Sequence, residues 1–197
     1  MSGSSAKRAK KPKKDSPAYA AVAQRRSYSK VTDQAPDAAE LEYLLAAASR
    51  AADHGSLHPW RVIALRGDAR SRLGRSLAKA AKLGGSDADS LASKPLRAPL
   101  LLAVVLSPKA SGKVPEWEQE AVASGVAHLL SLLLHDAGWG VIWRTGPYTR
   151  HKKVAKMHGL AKGEKLLGWL YVGGIPDRAR SSHDKKLSGK RYLTTLD

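Results

Sequence analysis

Between Ala98 and Leu106 the chain carries nine consecutive apolar residues, with Pro99 at the second position. Nine falls far short of the roughly 20 residues that cross a bilayer as a helix. A proline at the start of such a run opens a strand rather than interrupting one. Leu100–Leu106 therefore reads as a buried strand, and a buried strand needs partners for its backbone and layers over its faces. The rest of the sequence supplies both. Trp60–Leu65 is apolar and β-branched and ends at Arg66-Gly67-Asp68; Val141–Trp143 and Leu166–Val172 read as further strands.

Helical signals alternate with these strands. Asp15 or Ser16 can cap a first helix that has Pro17 in its first turn and ends at Arg25-Arg26-Ser27. Asp37 caps a second, with Glu40 three residues on as its capping-box partner and Leu41, Leu44, Leu45 and Ala48 at helical spacing. A third is expected from Ala69 to Lys82, broken by Gly84-Gly85, with only a turn over Asp87–Ser93. The longest helix starts at Pro115, loads its first turn with glutamates, presents a wide apolar face and ends near Gly138; a short one lies near Thr149–His158. Loose alternation of this kind predicts a layered sheet with helices.

At 197 residues and 43% hydrophobic content, the chain suits one compact domain. The absence of cysteine excludes disulfides, thiolate metal sites and cysteine nucleophiles. The formal charge of +17 invites a nucleic-acid reading. Residues 1–14 carry six cations and no acid, leaving +11 on the remainder. That segment, up to residue 15, is expected to be a disordered basic tail, and residues 16–197 a single domain. No apolar segment follows the tail before Tyr19, so a secretory signal is not expected and the protein is read as cytoplasmic, without membrane contact.

Several common chemistries have no motif here: no phosphate loop, zinc helix or nucleophile elbow is present. Gly138-Trp139-Gly140 begins a dinucleotide fingerprint, but Trp143 stands where its third glycine belongs. Asp53, His54 and His58 group two imidazoles with a carboxylate, yet Gly55 and Pro59 argue against a helix and no third ligand is evident; no metal is expected. Glu116, Glu118 and Glu120 could form an acid/base cluster, although a helix dipole alone favours carboxylates in a first turn. Arg25-Arg26-Ser27 offers two fixed cations and a hydroxyl, which together can grip a phosphate.

Taken jointly and in order, these segments resemble a known family. Arg25-Arg26-Ser27 with Ser29-Lys30 comes first, followed by Arg50 running into Ala52-Asp53-His54 and Pro59-Trp60. Then come Arg97-Ala98-Pro99-Leu100, Val114-Pro115-Glu116-Trp117-Glu118-Gln119-Glu120, Ile142-Trp143-Arg144-Thr145-Gly146 and Gly168-Trp169-Leu170-Tyr171-Val172-Gly173. Over roughly residues 17–176 the chain is similar to the flavin-dependent nitroreductase family, and most of all to its short, single-domain YdjA-like branch.

The resemblance implies an α+β fold with a central, mostly antiparallel sheet flanked by helices. It also implies a homodimer, with one FMN at each of two sites built from both subunits. Arg25, Arg26 and Ser27 would hold the flavin phosphate and ribityl chain; Arg50 and His54 would form a second contact segment; Trp143, Arg144 and Thr145 a third, beside the ring. The long helix would sit in the subunit interface. The implied activity is an NAD(P)H-dependent oxidoreductase of nitroreductase type, using NADPH or NADH and a small-molecule acceptor by ping-pong hydride transfer through the flavin. Arg144 or Arg26 would stabilise the reduced flavin, and no side chain is nominated as a catalytic acid, base or nucleophile. Two positions depart from the pattern: His58 replaces a glutamine, and Lys185–Asp197 lacks the family's basic C-terminal motif, with Arg191 as its substitute. The alternatives are another flavin reaction, such as dehalogenation or dehydrogenation, and a nucleic-acid-associated protein that keeps the fold as a scaffold and uses its tail for weak, non-specific contact.

Overall fold

A computed structural model describes residues 16–177 and 188–196. The expected basic tail, residues 1–15, lies outside them. The chain forms helices α1 (Pro17–Gln24) and α2 (Ala38–Ala48), strand β1 (Trp60–Leu65), helices α3 (Asp68–Ala81) and α4 (Gly85–Ser93), and strand β2 (Leu100–Leu106). Helix α5 (Glu116–Asp136), strand β3 (Trp139–Arg144), helix α6 (Lys152–Met157) and strand β4 (Lys165–Gly174) complete the order. The sheet runs β1-β2-β4-β3, and every neighbouring pair is antiparallel. This is the α+β architecture expected, with helical connections between the antiparallel neighbours.

β2 is buried at every position, as its unbroken apolar run requires. Its alternate residues divide between two cores. Leu100, Leu102, Val104 and Leu106 face α2 and α5, where Val126, Leu130 and Leu134 pack against them. Leu101, Ala103 and Val105 face the opposite layer, with Leu73 and Leu77 of α3 and Val154 of α6. Leu130 is 1% exposed, so its truncation to alanine should cost about 2–5 kcal/mol. No helix among the described residues is long and apolar enough to cross a membrane.

The helix starts follow their caps. Ser16 Oγ accepts from the Tyr19 amide at 3.3 Å, and Asp37 Oδ1 from the Glu40 amide at 2.9 Å. Glu40 itself departs from expectation. Its carboxylate does not close the capping box but accepts the Trp139 indole N–H at 2.7 Å, tying α2 to the start of β3. α3 ends where expected, at Lys82, whose left-handed conformation (φ 56°) caps it two residues before the glycines. The turn expected over Asp87–Ser93 is a full helix, α4. The expected helix over Thr149–His158 is divided into a 3-10 turn at Pro147–Arg150 and the shorter α6.

Buried polar groups tie loops to this frame. Gln119, 2% exposed, accepts from the Lys109 amide at 2.8 Å and donates to the carbonyls of Lys109 and Val114 at 2.9 and 3.1 Å. The loop entering α5 is thereby pinned to the helix it precedes, because a buried amide left unpaired would be costly.

Candidate active site

The segment after α1 is laid along the ends of β3 and β4. The Tyr28 amide donates to the Val141 carbonyl at 3.0 Å, the Thr32 amide to Gly174 at 2.8 Å, and the Gly174 amide to Gln34 at 3.0 Å. Absent side chains make this approach possible. A Cβ at Gly173 would stand 2.6 Å from the Thr32 carbonyl oxygen, closer than carbon and oxygen can pack. The strand end therefore positions Arg25-Arg26-Ser27 beside the C-terminal half of α5. Tyr28 stacks on His135 with ring centroids 5.9 Å apart. Burial, then the charges of Arg25 and Arg26, hold the His135 pKa below the usual histidine value. Arg26 donates to the carbonyls of Ala23 at 2.8 Å and Arg25 at 2.9 Å, satisfying orphan acceptors at the end of α1. Arg25 reaches Ser27 Oγ at 3.5 Å.

The third expected segment lines a cleft of about 420 Å³. Trp143, Arg144 and Thr145 form one wall, while Lys94 and Arg97 come from the turn after α4 and Trp169 and Tyr171 from β4. Among the described residues, no carboxylate lines it. The Arg144 guanidinium lies 5.4 Å from the centroid of the Tyr171 ring, a cation–π distance. Trp143 meets His128 of α5 edge-on at 5.0 Å. Arg144 Nε in this wall and Trp143 Nε1 on the opposite, α5-facing side of the sheet are both buried without a hydrogen-bond partner, an expensive state unless a ligand completes them.

Gly168 explains how Trp143 fits. It sits opposite Val104, where the β2–β4 register shifts, and has φ of +148°. A Cβ there would stand 2.5 Å from Trp143 Nε1 and 2.6 Å from the Arg144 carbonyl oxygen. Only glycine admits both the backbone angle and the indole.

The second expected segment lies elsewhere. His54 Nδ1 is 2.8 Å from Glu118 Oε2, in a separate depression bordered by Ala51, Trp117 and Gly125. Arg50 is exposed at the end of α2 and lines neither cavity. Within one copy of the chain the eight expected residues thus fall in three places: Arg50 and His54 toward Glu118, Trp143, Arg144 and Thr145 at the end of β3, and Arg25, Arg26 and Ser27 near His135. Arg191 occupies an exposed 3-10 turn, Gly189–Arg191.

Two other groups resolve into structural roles. Glu116, Glu118 and Glu120 do not share a site; they pair separately with Lys165, His54 and Arg150. Asp53 Oδ2 accepts from the His58 amide at 2.8 Å, so this carboxylate fixes the loop backbone. Among the described residues, no group of three or more His, Cys, Asp or Glu side chains could hold a metal.

Sequence reasoning gave no role to Lys94, Arg97, Trp169 or Tyr171. Trp169 and Tyr171 were legible as a pair on one face of a strand, since their spacing is two. Nothing local places Arg97 against them, because that contact depends on the turn Lys94–Arg97 folding over the sheet.

Comparison with known proteins agrees with this architecture. The model of the nitroreductase family matches residues 22–174. "Putative NAD(P)H nitroreductase YdjA" of Escherichia coli K12 is 35% identical over 161 residues, covering 80% of this chain and 88% of that one. Among solved structures, a nitroreductase-like protein from Bacillus cereus superposes with a TM-score of 0.77 at 20% identity, covering 90% of this chain and 94% of that one. A Bacteroides fragilis nitroreductase with bound FMN gives 0.71 at 16% identity, covering 92% and 100%. By the span of the family match and by that identity over most of both lengths, the chain belongs to the nitroreductase family.

Proposed function

We propose that this chain is an FMN-dependent oxidoreductase that draws on NADPH or NADH, reduces a small-molecule acceptor and works as a homodimer. Residues 16–197 serve as one FMN-binding domain. The observation that carries the reading is the cleft beside Arg144 and Thr145, with the buried, unpartnered donor at Arg144 Nε. Its volume falls within the roughly 300–1,000 Å³ of small-ligand sites. Aromatic walls suit a flat ring, and cations without carboxylates suit a phosphate-bearing, anionic cofactor. The residues present therefore fit FMN. The names of the E. coli relative and of the B. fragilis structure support the same reading.

When bound, FMN supplies the redox chemistry, taking hydride from a reduced nicotinamide and returning electrons to an oxidised acceptor. The chain's own residues bind and orient. Arg25 and Ser27 offer donors for a phosphate, with Arg26 holding the end of α1 beneath them. Arg144 places a fixed cation in the cleft, where low dielectric strengthens its hold on negative charge. Trp143, seated on Gly168, packs behind the strand against His128 of α5 and holds the backbone that borders the cleft. Backbone N–H groups at Thr145 and Gly146 are offered at the rim.

Arg50 and His54 join the site from a second copy. They stand apart from the cleft of their own chain, and the surfaces around them are apolar and open: Trp117 is 71% exposed and Tyr43 77%. Packing α5 and α2 of two copies together covers those surfaces and shares each site between chains.

Complementation tests the shared site. Arg50→Gln and Arg144→Gln are expected each to abolish FMN retention. Co-expression of the two should restore about a quarter of the sites, because half of randomly paired dimers are hybrids with one intact site. Retention no higher in the mixture than in either variant would contradict sharing.

A further inference from the structure

We infer that the exposed face of α3 and α6 is a docking surface for the phosphate backbone of duplex nucleic acid, engaged without regard to base sequence. Arg72, Arg75, Lys79 and Lys82 recur at intervals of three and four residues and so share one side of α3 and its cap. Lys152, Lys153 and Lys156 stand beside them on α6, and Lys153 Nζ ties the two helices by donating to the Lys79 carbonyl at 2.9 Å. All seven cations are exposed. Arg70, the remaining cation of α3, is half-buried, donates to the Ala98 carbonyl at 2.7 Å and takes no part.

Neutralisation of this face is slight. Among the described residues, Asp68 alone pairs with any of the seven, at 3.4 Å from Arg72 and 3.8 Å from Arg75, and pairs as exposed as these contribute little. Glu116, Glu118, Glu120 and Glu164 take their cations elsewhere. α4, which meets α3 where Gly74 touches Ala92, carries Asp87 and Asp89 and no cation, so the positive field lies toward α6. Seven cations against one carboxylate supply more than half of the +11 carried beyond residue 14.

The shape suits a regularly charged polymer. From Arg72 to Lys82 the row runs about 15 Å, at about 1.5 Å per helical residue. One strand of a duplex presents a phosphate about every 3.4 Å of its axis, so the row spans about four. An anionic membrane fits less well, because a helix lying on a bilayer needs apolar side chains free to enter it. Leu73, Leu77 and Ala80 of α3 and Val154 of α6 are instead buried in the core, and Leu83 is the one large hydrophobic residue exposed beside the row. Both helices pack on the sheet face away from α5, so a dimer joined through α5 and α2 leaves this face uncovered. The inference holds whether or not the chain binds a flavin.

The test measures binding of the full chain to a random-sequence duplex of about 20 base pairs by fluorescence anisotropy, across about 50–200 mM salt. The first variant replaces Arg75, Lys79, Lys152 and Lys156 by glutamine; the second keeps their charge as Arg75→Lys, Lys79→Arg, Lys152→Arg and Lys156→Arg. The third replaces Lys10, Lys11, Lys13 and Lys14 by glutamine, removing equal charge from the N-terminal segment. The first is expected to lose at least about tenfold in affinity, with its salt dependence shallower by about 0.9 in log–log slope for each phosphate contact removed. Lys156→Gln alone should shift the slope by about 0.9. The second variant binds as the unsubstituted chain does, and the third loses less than the first; thermal midpoints confirm that each is folded. The inference is overturned if the unsubstituted chain does not bind the duplex at the lowest salt, or if the first variant loses no more than the third. It is equally overturned if vesicles of phosphatidylserine and phosphatidylcholine bind the unsubstituted chain more tightly than the duplex at equal salt. None of these measurements needs flavin, so failure of the FMN reading shows separately, as an unsubstituted chain that retains none.

Discussion

Trp169 donates its indole N–H to Nε2 of His158 at 3.0 Å, and the other ring nitrogen of His158 lies 2.8 Å from the Val154 carbonyl oxygen. The indole is only a donor, so Nε2 must accept and Nδ1 must carry the proton that reaches Val154. His158 is therefore neutral, fully satisfied and 8% exposed. It holds in place a tryptophan that lines the cleft.

A pH prediction follows from that tautomer. Burial, reinforced by the charge of Arg61 and opposed by the Val154 bond, holds the His158 pKa below the ordinary value of 6.5. Below about pH 6.5 the unfolded chain takes up a proton that the folded chain resists, so this contribution is complete above 6.5 and is lost as pH falls toward the depressed folded value. His158→Phe should remove the step and leave the Trp169 N–H unpaired, costing about 1–3 kcal/mol at neutral pH. Urea unfolding of both proteins between about pH 5 and 7.5 checks this. A constant difference across the range would refute the assignment.

Glu164 answers to acid in a lower window. Arg61 donates from Nε and Nη2 to its two carboxylate oxygens, each at 2.7 Å, and the Ala161 amide donates at 2.8 Å. The Arg61 bonds lead in pulling the Glu164 pKa from 4.5 to about 2. The stabilisation is present above about pH 4.5 and disappears as pH falls through 2. Glu164→Gln should cost about 1.5–3 kcal/mol, the range for hydrogen bonds to charged groups, toward the lower end because Arg61 is 40% exposed. Denaturation at pH 7 and pH 3 measures it, with a smaller penalty expected in acid.

Gly168→Ala tests the seating of Trp143. The added methyl meets the indole and the Arg144 backbone together, and overpacking of this kind typically costs about 1–3 kcal/mol. FMN retention should fall more than stability does, because the displaced Arg144 backbone borders the cleft. A variant with unchanged flavin affinity would show that the Trp143 seat does not hold that border in place.

Most of the fold was legible because its signals are local. The unbroken run Leu100–Leu106 fixed a two-sided strand, and the caps at Ser16 and Asp37 started helices where they stand. The misread details depend on distant residues. Glu40 was expected to serve its own cap, but the Trp139 indole, 99 residues away, claims its carboxylate. α4 is built largely of Gly, Ser and Asp, poor helix formers. It gains support from α3, where any Cβ at Gly74 would collide with the Ala92 carbonyl. The candidate site divides in the same way. Trp143, Arg144 and Thr145 are contiguous and could be recognised as a unit, whereas Arg97 reaches them only through the folded turn after α4. Arg50 and His54 were recognisable in sequence, yet one copy of the chain does not bring them to the cleft.

The most direct measurement is the visible absorption spectrum of the purified protein after incubation with FMN and desalting, followed by anaerobic addition of NADPH and then NADH. The account predicts a retained flavin spectrum that one nucleotide bleaches and an added acceptor restores. A protein that retains no flavin, and whose thermal stability FMN does not raise, would contradict it.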